Sequence, residues 1–235
     1  MRVIDETSHL IRLTRLGMFN CFLVREDDGF TLIDLNLPGS AEAILSIATA
    51  RGAPIRRVAL THTHFDHVGS LDALCDRLPH VELCVSARES SLLAGDRSLR
   101  AGETGRKLLG FRTARRRPNR LLADGDRVGS LLAVSSPGHS PGHFSFFDTR
   151  DQTLIAGDAF ITQWGVTAAG AFKAYFPQPY LFSWNKVLAA KSAKRLLDLG
   201  PARLAVGHGL TLPSPVSEMK RAVELALQQC GLMLD

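Results

Sequence analysis

The sequence THTHFDH at residues 61–67 places four metal-binding side chains within six positions, directly after the apolar run at residues 55–60. The four are His62, His64, Asp66 and His67. Imidazole and carboxylate groups suit zinc, iron and manganese, and the lack of thiolates distinguishes the stretch from a structural zinc finger. A loop after a strand can gather such side chains around one point, whereas a strand would alternate them between two faces. The stretch therefore predicts a metal site; the alternative is a chance cluster of surface histidines.

Three later residues stand in the same local context, next to glycine in a loop after an apolar run. They are His139 within SPGHSPGH (136–143), Asp158 within IAGDA (155–159) and His208 within VGHG (206–209). Glycine lets the backbone turn sharply and approach a metal closely. Each residue alone is weak evidence, because Gly-Asp and Gly-His pairs usually mark ordinary turns. Together they predict that ligands from several strand ends converge on one cleft.

Working outward, the chain first predicts a meander of strands and then strands that alternate with helices. Strands are expected at residues 9–16, 20–25, 29–35, 55–60, 81–85, 121–122, 131–135, 144–148, 153–156 and 203–206. Helices are expected at 41–51, 70–78, 183–199 and 216–229, with Ser40 and Ser86 as N-caps, the latter for a further helical piece. This order favours two mixed sheets packed together, with helices on both outer faces.

In these motifs and their order, the sequence resembles the metallo-β-lactamase-fold hydrolases, especially the branch with glyoxalase II and the acyl-homoserine lactonases. The resemblance covers the whole chain. It implies one α/β domain, residues 1–235, built as a four-layer αββα sandwich with a dinuclear metal site in a cleft at its edge.

The resemblance also implies a role for each ligand. His62, His64 and His139 would hold the first metal; Asp66, His67 and His208 would hold the second; Asp158 would bridge the two. The metals are expected to be divalent, with zinc preferred and iron or manganese as alternatives. His143 is expected to orient a ligand or to pack below the site rather than to bind metal.

This arrangement predicts a hydrolase for an ester, lactone or thioester bond. Two cations lower the pKa of a shared water towards neutrality, and the resulting hydroxide attacks a carbonyl. Asp66 is the candidate catalytic residue, because its carboxylate could carry a proton to the leaving group. In the resembling family, Asp158 argues against a true β-lactamase and His64 against the flavin-linked oxygen reductases. Ile161 departs from the tyrosine of homoserine lactonases and counts against that substrate.

Three other functions remain open at this point. Persulfide dioxygenases of the same fold share much of the motif but use a single iron. A phosphodiesterase or nuclease of the fold would be consistent with the basic insertion or flap at residues 94–120, where a stretch of 21 residues carries eight basic and one acidic side chain. Nucleic acid is nevertheless not expected, because the basic residues lack interleaved aromatic ones. A binding module without activity is disfavoured by the complete ligand set.

Half of the aromatic residues are concentrated shortly after Asp158. They are Phe160, Trp164, Phe172, Tyr175, Phe176, Tyr180, Phe182 and Trp184. They predict either an apolar wall for an acyl or hydrophobic small molecule, or a packing or homodimer contact. The charged N-terminal residues, the lack of long apolar runs and the unpaired spacing of four cysteines favour a cytoplasmic enzyme that does not enter a membrane.

Overall fold

Seven strands in chain order form the first sheet of the computed structural model, which describes residues 1–174 and 177–233. The strands are β1 (Arg2–Asp5), β2 (Leu10–Arg15), β3 (Phe19–Glu26), β4 (Gly29–Ile33), β5 (Ile55–Ala59), β6 (Glu82–Ser86) and β7 (Arg120–Leu122). The first four pair antiparallel, and β5, β6 and β7 each pair in parallel with the strand before. The sheet is therefore mixed.

The remaining strands form a second sheet and a small ribbon. They are β8 (Arg127–Val128), β9 (Leu131–Ser135), β10 (Phe144–Asp148), β11 (Thr153–Ile155), β12 (Phe160–Ile161), β13 (Thr167–Ala168), β14 (Arg203–Ala205) and β15 (Leu212–Pro213). The second sheet has the order β15-β14-β11-β10-β9-β8, and β12 pairs with β13. Within it, β11 and β14 are parallel and the other neighbours antiparallel.

The two sheets pack face to face, and helices cover both outer faces. The helices are α1 (Ala41–Ala50), α2 (Leu71–Arg77), α3 (Ala87–Leu93), α4 (Gln178–Leu181), α5 (Lys186–Leu197) and α6 (Val216–Gln229). The buried faces of α1 and α2 share a core with the first sheet, and those of α5 and α6 share one with the second. This confirms the predicted αββα sandwich.

The two-residue period of the strands explains how each sheet serves two cores. In β3, Phe22 and Val24 enter the core between the sheets, whereas Cys21 and Leu23 face the helices α1 and α2. Phe146 of β10 meets the inner core from the second sheet and is fully buried. Both faces of the interior strands are thus apolar, which is why these strands appear as nearly continuous apolar runs in the sequence.

Two features of the helix starts differ from the sequence prediction: the capping of α1, which begins at Ala41 as predicted, and the first residue of α5. Ser86 caps α3 as predicted, with its Oγ accepting from Glu89 N at 3.1 Å. The Ser40 hydroxyl does not cap α1 and instead accepts from Arg15 Nη1 at 3.0 Å. The predicted helix at 183–199 begins later, at Lys186, because Asn185 supplies the N-cap. None of the described helices is both long and apolar enough to span a bilayer.

Candidate metal centre

The loop after β5 carries the four side chains predicted as ligands from residues 61–67. β5 is an interior strand of the first sheet, so this loop starts at the edge of the core. His67 N and Val68 N both donate to His64 O, at 3.0 and 3.1 Å, and close a tight turn. Phe65 N donates to Gly110 O at 3.0 Å, which ties the turn to a distant segment. All four side chains are buried.

The three later ligand candidates come from the second sheet and meet this loop. His139, Asp158 and His208 lie in the loops that follow β9, β11 and β14. His139 Nε2 is 3.0 Å from His64 Nδ1, and Asp158 Oδ1 is 3.3 Å from His67 Nε2. The structure therefore brings all seven predicted side chains into one cluster between the sheets.

Two glycines allow this close approach. A Cβ atom on Gly207 would overlap Asp158 Oδ1 and lie 2.7 Å from His67 Cε1. Gly157 has a φ of +52°, and a Cβ there would lie 2.7 Å from Thr61 Cβ. Neither position has room for a side chain, and at Gly157 the positive φ also favours glycine.

Three imidazoles form the first ligand group. His62 Nε2 lies 3.1 Å from His64 Nδ1, and His139 Nε2 lies 3.0 Å from the same atom. Nitrogens bound to one tetrahedral zinc at 2.0–2.1 Å would be about 3.3 Å apart. The observed spacing of these ring nitrogens is close to that value.

Two histidines and a carboxylate form the second group, next to Asp158. His208 Nε2 lies 3.2 Å from Asp66 Oδ2 and 3.2 Å from Asp158 Oδ2. His67 Nε2 lies 3.9 Å from Asp66 Oδ2. Asp158 Oδ2 also lies 3.5 Å from His139 Nε2 of the first group. Its carboxylate therefore stands between the two groups.

The donor set fits bound divalent cations better than it fits mutual hydrogen bonding. His64 Nδ1 faces two ring nitrogens, and its single lone pair cannot accept from both. Asp158 Oδ1 is buried and makes no well-aligned hydrogen bond, although His67 Nε2 lies 3.3 Å from it. Buried polar atoms left in this way are costly unless an ion satisfies them. Imidazole and carboxylate ligands suit zinc, iron and manganese.

The histidines of the two ligand groups differ in the direction of their pKa shifts. Burial lowers the pKa of His64 to about 4 and places the pKa values of His62 and His139 well below the ordinary value. These rings are therefore neutral at pH 7. Burial also opposes protonation of His67 and His208, but nearby carboxylates, led by Asp158, outweigh it. The pKa of His67 then lies well above the ordinary value, and that of His208 is raised to about 10.

Asp34, which the sequence analysis did not identify, orients His67. It follows β4 with a φ of +59° and is almost fully buried. Its Oδ2 lies 2.8 Å from His67 Nδ1, and its Oδ1 accepts from Thr61 N at 2.8 Å. A hydrogen bond to Nδ1 leaves Nε2 of His67 free to face the cluster. The available signal was an acidic residue at the end of a buried strand, which is too common to stand out.

His143, predicted to orient a ligand, contacts the backbone of Asp158. Asp158 N donates to His143 Nε2 at 3.2 Å, so the ring proton resides on Nδ1. His143 Nδ1 then donates to Ser136 Oγ at 2.8 Å, and Ser136 Oγ bonds Ser145 Oγ at 2.8 Å. Burial lowers the pKa of His143 to about 3, which keeps the ring neutral. The chain of hydrogen bonds fixes the loop that carries Asp158.

Asn20, also missed from the sequence, holds the loop of His208. Its Nδ2 donates to Val206 O at 2.9 Å and to Gly209 O at 2.8 Å. Because Asn20 lies on β3, it ties this loop of the second sheet to the first. A lone asparagine in a strand gives no local sign of such a role.

A cavity of about 270 Å³ opens onto the cluster, and its wall is mainly apolar. The apolar lining residues are Met18, Phe19, Phe65, Ile161, Trp164, Pro179 and Phe182. No lysine or arginine of the described chain lines it. Trp164 and Phe182 thus belong to the wall, as one interpretation of the aromatic segment predicted, whereas Phe160 and Trp184 are buried in packing contacts. Tyr175 and Phe176 lie outside the described residues.

Residues 94–119, between α3 and β7, contain no assigned helix or strand but pack closely beside the cluster. The Phe111 ring meets the His64 ring edge-on, with centroids 4.5 Å apart. Arg112 N donates to Thr63 O at 3.0 Å. Phe111 also packs with Trp184 in a small apolar core. The segment therefore supports the His62–His67 loop.

Comparisons with known proteins agree with this site. A family model described as the metallo-beta-lactamase superfamily matches residues 14–208. The chain is 46% identical over 209 residues to the uncharacterized protein YobT of Bacillus subtilis (strain 168), covering 88% of this chain and 90% of that protein. It is 31% identical over 162 residues to the acyl-coenzyme A thioesterase MBLAC2 of Gallus gallus, covering 59% of this chain and 56% of that protein.

Among solved structures, TTHA1623 in a di-iron-bound form aligns with a TM-score of 0.64 and 27% sequence identity, covering 88% of this chain and 94% of that one. The family model spans most of the sequence, and the His/Asp cluster lies where the strands of both sheets end. The chain therefore belongs to the metallo-β-lactamase superfamily of metal-dependent hydrolases.

Proposed function

We propose that this chain hydrolyses an ester, lactone or thioester bond in a small molecule that carries an apolar or acyl group. It would use two divalent metal ions, with zinc preferred over iron or manganese. The observation that carries the proposal is the convergence of seven ligand side chains, five of which line a mainly apolar cavity. When bound, a pair of divalent ions supplies a water of lowered pKa and polarises a substrate carbonyl.

Each ligand group of the proposal has its own residues. His62, His64 and His139 would hold one ion; Asp66, His67 and His208 would hold the other; Asp158 would bridge them. The position of Asp158 supports this role, because its Oδ2 lies 3.5 Å from His139 Nε2 of the first group and 3.2 Å from His208 Nε2 of the second.

Asp66 is the proposed proton carrier. Its side chain lines the cavity, and its Oδ2 is 3.2 Å from His208 Nε2, which leaves Oδ1 to serve the leaving group. Replacing Asp66 by Asn should lower kcat about 100-fold or more, as the loss of a general acid–base group does. Metal content must be measured on the same sample, since Asp66 is also a proposed ligand. An Asp66→Asn protein with both metals and full activity would refute the role.

The cavity wall supports an apolar acyl substituent. An acyl chain against Phe65, Trp164 and Phe182 would exclude water and direct its carbonyl to the ligand cluster. Similarity to a protein named as an acyl-coenzyme A thioesterase supports a thioester in particular. No lysine or arginine among the described residues lines the cavity, so its lining gives no support to a nuclease or phosphodiesterase.

A mononuclear-iron dioxygenase acting on a persulfide is the second candidate. The solved structure of TTHA1623 in a di-iron-bound form supports iron as a candidate metal, because that relative is 27% identical in sequence to this chain. Two histidines and a carboxylate also form the usual ligand set of non-haem iron oxygenases. Oxygen consumption separates this reaction from hydrolysis.

The deciding experiment combines metal analysis with an activity screen. Purified protein is analysed for zinc, iron and manganese. It is then assayed on matched lactones, esters and thioesters of increasing acyl length, and on a thiol persulfide with an oxygen electrode. We expect two metal equivalents, hydrolysis that chelator abolishes and no oxygen uptake. His64→Ala serves as the control for contaminating activity. Oxygen uptake with a persulfide, or no chelator-sensitive turnover at all, would contradict the proposal.

The remaining proposals concern the whole chain. Residues 1–235 would act as one domain. Residues 94–120 would be a basic insertion within it rather than a separate domain, because Phe111 of this segment packs against the His64 ring. All four cysteines are free thiols, which supports a reducing compartment such as the cytoplasm. A homodimer is also proposed, and a molecular mass in solution near that of one chain would contradict it.

A further inference from the structure

Glu89 is a fully buried carboxylate near the metal centre that belongs to neither ligand group. It lies on α3, and four donors point at its two oxygens. Oε2 accepts from Thr63 N at 2.9 Å and from Thr63 Oγ1 at 2.6 Å. Oε1 accepts from Ser140 Oγ at 2.6 Å and from Gly142 N at 3.0 Å. Each oxygen therefore binds a different loop.

The two loops are those that supply the first ligand group. Thr63 lies between His62 and His64, in the loop after β5 of the first sheet. Ser140 follows His139, in the loop after β9 of the second sheet. One buried carboxylate thus sets the distance between two loops that are remote in sequence: Thr63 lies 26 residues before Glu89, and Ser140 lies 51 residues after it.

α3 is itself firmly anchored, so it can serve as a fixed support. Ser86 caps its first turn and donates its hydroxyl proton to Gly142 O at 2.7 Å, next to the Glu89 contact. Arg88 forms a buried ion pair with Glu103, with Nε and Oε1 2.6 Å apart. A carboxylate accepts from all four donors at once, whereas a glutamine would place an NH₂ group against donors on one side.

The second ligand group is held by other residues. Asp34 fixes His67, and Asn20 fixes the loop of His208. Neither of these contacts involves Glu89. Asp34 also reaches the first group, because its Oδ2 accepts from Thr61 Oγ1 at 2.7 Å and that hydroxyl lies 3.0 Å from His62 Nδ1. Glu89 differs from Asp34 and Asn20 in that it bonds both loops that supply the first group.

We propose that Glu89 is a positioning residue for the first metal position: it sets the geometry of His62 and His64 relative to His139 without touching metal or substrate. The inference rests on the metal centre of the proposed function. It predicts that loss of the carboxylate weakens metal binding at the first position and spares the second.

The test measures zinc affinity at each position alone. Glu89→Gln is combined with His208→Ala, which leaves the first position, and separately with His139→Ala, which leaves the second. Metal-free proteins are titrated with Zn²⁺ against a chromophoric chelator. We expect about a 10- to 100-fold weaker Kd at the first position, the usual effect of removing a group that orients a ligand. At the second position the Kd should change by less than about threefold.

Glu26→Gln is the matched control, since Glu26 also accepts from Ser130 N, Ser130 Oγ and Thr31 Oγ1 but lies on the β3–β4 hairpin. It should lower thermal stability without changing either Kd. Ser140→Ala removes one bond to Glu89 and replaces Glu89→Gln if that variant does not fold. Equal weakening at both positions, or none at the first, would overturn the role of Glu89. Wild-type protein that binds fewer than two zinc ions would instead contradict the metal centre itself.

Discussion

In the metal-free chain, the protonation of His208 should make the free energy of unfolding depend on pH. The pKa of His208 is raised to about 10, because Asp158 and Asp66 outweigh the burial that lowers it. A raised pKa adds stability below the unfolded value of about 6.5, and this stability is lost as the pH rises through the folded value. In the presence of chelator, the free energy of unfolding should therefore fall between about pH 6.5 and 10. Denaturant titrations at several pH values measure this fall. In His208→Ala, the free energy of unfolding should fall less steeply with pH than in the wild type. Identical pH dependences of the two proteins would contradict the raised pKa of His208.

Local sequence patterns explain which residues of the site could be predicted from the sequence. The seven ligand candidates could be found because each follows an apolar run and four of them crowd into residues 61–67. Asp34 and Glu89 could not be found in this way. Asp34 meets His67 across 33 positions, and Glu89 meets Ser140 across 51. Their function lies in contacts that only the folded chain creates, and their own neighbours in sequence are ordinary.

Among the elements, a buried ion pair is one of the contacts that join α3 to the segment at residues 94–119. The side chains of Arg88 and Glu103 are only 8% and 16% exposed. Glu103→Ala would leave the guanidinium buried without its carboxylate, and breaking such a pair costs about 3 kcal/mol. Hydrogen exchange should then increase first in the segment. The exposed pair of Arg77 and Glu42 gives the control, because Glu42→Ala should change stability little. Equal effects of the two variants would show that the buried pair does not anchor the segment.

The boundaries of elements show why local patterns predict only part of the structure. Ser40 and Ser86 are equally good N-cap residues in the sequence, but only Ser86 accepts a capping bond. Arg15 occupies the hydroxyl of Ser40 from a strand 25 residues away. The segment at residues 94–119 was predicted as an insertion from its composition, and its packing of Phe111 on His64 could not be read from that composition.

Across the whole molecule, the αββα sandwich was predictable because the two-residue strand period and the helical runs extend through both halves of the chain. The relative placement of the halves was not, because few local signals connect them. In the folded protein, the ligand cluster spans this junction: His62 and His64 come from the first sheet, and His139, Asp158 and His208 come from the second. Bound metal would therefore cross-link the two sheets as well as serve catalysis.

Such a cross-link would make stability depend on metal. A ligand that binds only the folded state at about 1,000 times its Kd stabilises it by about 4 kcal/mol. Zinc-loaded protein should therefore unfold at a clearly higher temperature than protein kept in chelator, as calorimetry would measure. Asp158→Asn should reduce this difference most, because its carboxylate stands between both ligand groups. Leu121→Ala, at an exposed position on β7, should leave the difference unchanged. A metal-induced shift that survives Asp158→Asn in full would show that the Asp158 carboxylate does not hold the cations.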